Sequence, residues 1–166
     1  MLHLILFFIF AAVCIAGAVN LLAQSHPINS ALSLIVVMGS LAVLYLLLGA
    51  EFIAAAQIIV YAGAIMVLFI FVIMLLNAGA ETKRGRSYMV QLTGVPLLIA
   101  FLGLTAWFVQ RMYGAEGVRF GGFQGGSPQQ IGKTLFTTYL LPFEITSILV
   151  LIAIVGAIVL ARKEID

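Results

Sequence analysis

Glu51, Gln57, Tyr61, Gly63 and Glu144 are the residues of this sequence whose types and settings could carry chemistry. Each stands in or beside a long apolar run, where an ionisable or hydrogen-bonding side chain is costly and therefore marks a functional position. The two carboxylates could pass protons or bind a neighbouring subunit. Gln57 and Tyr61 are four residues apart, so an α-helix would put them one turn apart on one face. Tyr61 would then lie near the middle of its helix, where its hydroxyl needs a partner. Gly63, close behind, lowers the resistance to a local π-bulge. One reading of this stretch is a hinge beside a hydrated polar path. The other is a packing groove with a hydrogen-bonded tyrosine, since Gly49, Ala56 and Gly63 recur every seven residues and small residues let helices approach closely.

The elements that must position these residues follow from hydropathy. Of 166 residues, 64% are apolar and 8% charged, against about 25% charged in an ordinary soluble domain. Such a chain cannot cover a soluble globule with polar side chains, which excludes a soluble enzyme, a nucleic-acid binder and a disordered tail. A bilayer core about 30 Å thick takes roughly 20 apolar residues of helix. The spans expected are about 2–23, 29–49, 51–76, 88–110 and 140–161. Continuous rather than alternating apolar runs argue against a transmembrane β-barrel. The fold class expected is all-α, a polytopic membrane protein of five transmembrane helices forming a single domain over 1–166. The first run lacks a basic leader and is too long for a cleaved signal peptide.

Glu51 and Glu144 both fall at the start of a span. Glu51 stands about 13 residues, or roughly 20 Å, from the middle of the third. Glu144 follows Pro142-Phe143, in what reads as the first turn of the fifth, where a negative charge complements the helix dipole. Each is either an interfacial capping carboxylate or a group on a proton path or subunit contact. His3, His26 and the single Cys14 form no metal-ligand cluster, and one cysteine allows no disulfide within the chain. The connection at about 111–139, with Gly121-Gly122-Phe123-Gln124-Gly125-Gly126, reads as a mobile external linker. Lys83, Arg84, Arg86, Arg162 and Lys163 outnumber Arg111, Arg119 and Lys133, so the positive-inside rule puts the C-terminus in the cytoplasm. Alanines at 153, 157 and 161, and at 12 and 16, form helix-packing faces. They point to one piece of a larger assembly.

The runs Asn29-Ser30-Ala31-Leu32, Leu44 to Phe52 (LYLLLGAEF), Gln57 to Phe69 (QIIVYAGAIMVLF) and Leu135 to Glu144 (LFTTYLLPFE) resemble the subunit J family of bacterial NADH-quinone oxidoreductase. Its mitochondrial counterpart is complex I subunit 6. The resemblance spans essentially the whole chain and is most specific in the second and third helices. It implies a membrane-arm subunit near the quinone-reducing arm, without flavin, iron–sulfur cluster or nicotinamide of its own. Quinone, NADH, FMN and iron–sulfur clusters are expected on other subunits. Expected partners are antiporter-like and quinone-site subunits and the lipid bilayer, with no nucleic acid. The resemblance also implies a π-bulge beside Tyr61 whose switching gates water between the quinone region and the antiporter-like subunits. Short loops and no transit peptide point to a bacterial inner membrane. The alternatives are a subunit of a related cation/proton antiporter or hydrogenase-type complex, and a purely structural membrane subunit.

Overall fold

The computed structural model describes residues 2–76, 88–113 and 126–162, and every element among them is a helix. The chain divides into two compact units, Met1–Phe123 and Gln124–Asp166. In the first, α1 is Leu2–Ala23 and α2 is Pro27–Leu47. The third span is continuous over Glu51–Leu75 but changes its winding on the way. It opens as α3 (Glu51–Ala56), passes through a π-helical segment (Gln57–Ile65) and ends as α4 (Met66–Leu75). The last helix of this unit is α5 (Tyr88–Tyr113). The basic 77–87 connection, Arg119, the glycines from Gly121 to Gly125 and Lys163 lie outside the described residues.

Helix α2 is the central element. It packs against α1 and against all three parts of the third span. Its first position is a proline after an extended His26, where the missing N–H costs no helical hydrogen bond. Ser33, Val37 and Ser40 recur at helical spacing and are all buried. The contact with α1 is polar as well as apolar. Asn20 Nδ2 donates to Ser33 Oγ at 2.8 Å, Ser33 Oγ donates on to the Asn29 carbonyl, and Ser30 Oγ donates to the Leu21 carbonyl. In hydrocarbon, where apolar contact between helices gains little over lipid, such bonds and close packing hold helices together.

The closest approach is at Gly17. A Cβ built there would stand 2.8 Å from Val37 Cγ2. Gly17→Leu is therefore expected to part α1 from α2 at a cost of about 1–3 kcal/mol. The measurement is the amount of chain retained in membranes, and Val37→Ala in the same chain should restore part of it.

The turn into the third span is set by Gly49, whose φ of 87° favours glycine. The Ala50 N–H reaches the Tyr45 carbonyl at 2.9 Å and the Gly49 N–H reaches the Leu46 carbonyl at 3.0 Å, the two bonds of a Schellman motif. Gly49 thus belongs to the turn, and the seven-residue groove expected from Gly49, Ala56 and Gly63 is not one helix face.

The second unit contains α6 (Pro128–Thr137) and α7 (Leu140–Ala161). Helix α6 lies within the segment expected to be a linker. Its cause is local: Ser127 caps it, accepting from the Gln130 N–H at 3.4 Å and donating to Gln130 Oε1 at 3.3 Å, with Pro128 at the first helical position. This is a serine N-cap followed by the residue best suited to open a helix. Phe136 and Phe143 pack edge to face with centroids 5.0 Å apart, joining α6 to α7.

Among the described residues, four helices are long and apolar enough to cross a membrane: α1, α2, the third span and α7. The apolar part of α5, Pro96–Met112, is shorter. At its far end the Arg111 guanidinium lies over the Trp107 ring, 5.2 Å from the centroid, a pairing of the kind that sits at a membrane–water interface.

Candidate functional site

The third span starts as an ordinary α-helix and then departs from it. From Gln57 to Ile65 the backbone is wound i→i+5, and the Met66 N–H is directed at the Tyr61 carbonyl, five residues back. π segments are rare and concentrate at functional positions. Two features of the sequence favour one here. Ile58, Ile59 and Val60 are consecutive β-branched residues, which lose side-chain freedom in an α-helix. Gly63 leaves room at a tight point of this segment, because a Cβ there would stand 3.2 Å from the Ile58 carbonyl oxygen, again five residues back.

Gln57, the first residue of the π segment, is only 7% exposed. Its Nε2 donates to Met38 Sδ of α2 at 2.9 Å, so one amide N–H is satisfied at the helix contact. Tyr61 is 50% exposed, and its hydroxyl makes no hydrogen bond among the described residues. The single face expected for Gln57 and Tyr61 assumed an α-helical turn. In the structure α2 covers Gln57 and leaves half of Tyr61 open.

Met66 closes the segment and is 4% exposed. At about 100° per residue, the nine residues from Gln57 would carry it two and a half turns, to the opposite side of an α-helix. Both side chains are nevertheless buried, and α2 packs against the π segment and α4 alike. The wider winding is what returns Met66 to the buried side.

The carboxylates are placed differently. Glu51 is exposed and is the first residue of α3, where its charge faces the positive end of the helix dipole. Glu144, also exposed, belongs to the second unit and is the fifth residue of α7, so it lies beyond the first turn rather than in it. Helix α7 begins at Leu140, two residues before Pro142. The dipole interaction fades within the first turn, so it holds Glu51 more strongly than Glu144.

Among the described residues no group of three or more His, Cys, Asp or Glu side chains could hold a metal ion. Reading the residues alone missed Met38 and Met66, two methionines without polar signature inside apolar runs. It also missed the Asn20–Ser33 bond, whose signal was a polar residue in each of two adjacent spans.

The class defined here is a multi-pass helical membrane protein whose distinguishing feature is a π-wound turn carrying Gln57, Tyr61 and Gly63. Residues 17–160 match the family described as NADH-ubiquinone/plastoquinone oxidoreductase chain 6, and the chain belongs to that family. It is 39% identical to NAD(P)H-quinone oxidoreductase chain 6 of Leptolyngbya boryana, over 98% of this chain and 81% of that one. It is 42% identical to the chloroplastic NAD(P)H-quinone oxidoreductase subunit 6 of Staurastrum punctulatum, over 98% and 91%. It is 38% identical to the corresponding chain of Synechocystis, over 95% and 80%.

Proposed function

We propose that this chain is a membrane-arm subunit of a proton-translocating NAD(P)H:quinone oxidoreductase in a bacterial inner membrane, and that its π segment couples quinone reduction to proton movement. The observation that carries the reading is the i→i+5 winding of Gln57–Ile65 around Tyr61 and Gly63. A segment that passes between π and α winding changes the rotation of everything beyond it by about 100° for each residue taken in or released. Tyr61 sits in the moving segment with a half-exposed ring and a hydroxyl that needs a partner in hydrocarbon. Water or a neighbouring subunit supplies that partner in one winding and loses it in the other. The segment then acts as a gate on a polar path.

Nicotinamide oxidation, FMN, the iron–sulfur clusters and the quinone site belong to other subunits in this reading. Partners include the antiporter-like subunits and those forming the quinone site.

The test is to compare quinone-linked turnover with proton translocation in membranes holding equal amounts of assembled complex. Tyr61→Phe keeps the ring and removes the hydroxyl. It is expected to lower the proton-to-electron ratio in part, with assembly unchanged; a normal ratio would leave the tyrosine a packing residue and favour a purely structural subunit. Glu51→Gln should also assemble, since a dipole interaction is worth about 0.3–1 kcal/mol, with partial loss of pumping. Glu144→Gln should change little. A normal ratio in both carboxylate variants would assign them to the helix ends alone.

A further inference from the structure

We propose that Gln57 is the pivot of the third span: its side-chain amide, held by the Met38 thioether, fixes the chain before the π segment. Any change of winding is then delivered as rotation of Met66–Leu75. The catalytic consequence rests on the gating function proposed above; the pivot itself rests on packing. Gln57 is buried and its Nε2 donates to Met38 Sδ at 2.9 Å. Ala54, one turn earlier, is also buried, so α3 reaches the π segment already seated on α2.

The two ends of the segment are held by forces of different kind. In a bilayer, an apolar side chain gains little from a helix contact over lipid, because the tails are equally apolar. A carboxamide has no such freedom. If Gln57 left α2 for lipid, its amide would lose its acceptor in a medium that offers no other. Met66 carries only a thioether, which makes no hydrogen bond among the described residues, and is held there by packing. The amide end is the anchored one, and the methionine end is the one free to move.

The geometry gives the size of the motion. With Gln57 anchored and Gln57–Ile65 wound as an α-helix, Met66 lands about half a turn from its present side. Its burial beside α2 and the π winding therefore specify each other, given the Gln57–Met38 bond. Without that bond the α3 end can turn instead, and the segment can relax to α winding without driving α4.

The experiment is structure determination of the intact complex carrying Gln57→Leu, Met38→Leu or both, together with quinone-linked turnover. Met38→Leu keeps the packing volume and removes only the acceptor. The expected result is loss of the π winding or of the buried Gln57–Met66 alignment in each single variant. The double variant should show no further change, because both substitutions break one contact. Unchanged winding and a buried Met66 in both single variants would overturn the pivot, as would strictly additive effects. Failure of both to assemble also counts against it, since a lost pivot redirects rotation and leaves the complex intact. Relaxed winding with wild-type turnover keeps the pivot and removes the gate. Unchanged winding with lowered turnover does the reverse.

Discussion

Replacing Gly63 with valine is expected to lower quinone-linked turnover about tenfold, the equivalent of about 1.4 kcal/mol, while oxidation of the nicotinamide by water-soluble artificial acceptors stays normal. The reason lies in the tight contact at this point of the π segment. A Cβ at position 63 stands 3.2 Å from the Ile58 carbonyl oxygen, the atom five residues back that an i→i+5 helix brings over the glycine. Valine adds that carbon and two methyl groups, and its β-branch stiffens the side chain. Overpacking of this kind costs about 1–3 kcal/mol, and it falls on the π form. The segment should then be held in α winding, so that α4 cannot return. Gly63→Ala adds only the Cβ and should act in the same direction more weakly. Both activities are measured on membranes with matched amounts of assembled complex. If Gly63→Val leaves quinone-linked turnover and pumping unchanged, Gly63 is only a notch in the helix surface.

The second large effect is on the chain by itself. Expressed without partner subunits, it is expected to be degraded or to aggregate. Among the described residues the buried apolar side chains are Ala31, Val37, Ala42, Ala54 and Met66. Neither α1 nor α7 has a buried residue. Among the described residues of the first unit the side-chain bonds between helices are few, Asn20 to Ser33, Ser30 to the Leu21 carbonyl, and Gln57 to Met38. In a bilayer, association depends on such bonds and on close packing rather than on hydrophobic burial, so most of the adhesive surface is left for neighbours. Size-exclusion chromatography of the detergent-extracted chain checks this. A monodisperse, folded species would contradict it, whereas recovery only when the other membrane subunits are co-expressed is the expected outcome.

The sequence alone determined what a bilayer selects for. Long runs without Lys, Arg, Asp or Glu must become helices, because hydrocarbon offers no partner for an unpaired backbone group; the observed helices at Leu2–Ala23 and Leu140–Ala161 follow from that rule. The π tendency was also legible near Tyr61, since it depends on local backbone freedom at Gly63. Helix α6 was legible in principle, in Ser127-Pro128 followed by Gln130, but the glycines before it drew the reading toward a linker. Tertiary structure decided how far the π winding runs, from Gln57 to Ile65, and which side of the third span α2 covers. An apolar helix looks alike all round in sequence, so no periodicity marks the face that a neighbour will bury. Met38 shows why: as a residue it is one apolar side chain among many. It becomes the acceptor for Gln57 only because the turn at Gly49 folds α2 back along the third span and sets those two side chains 2.9 Å apart.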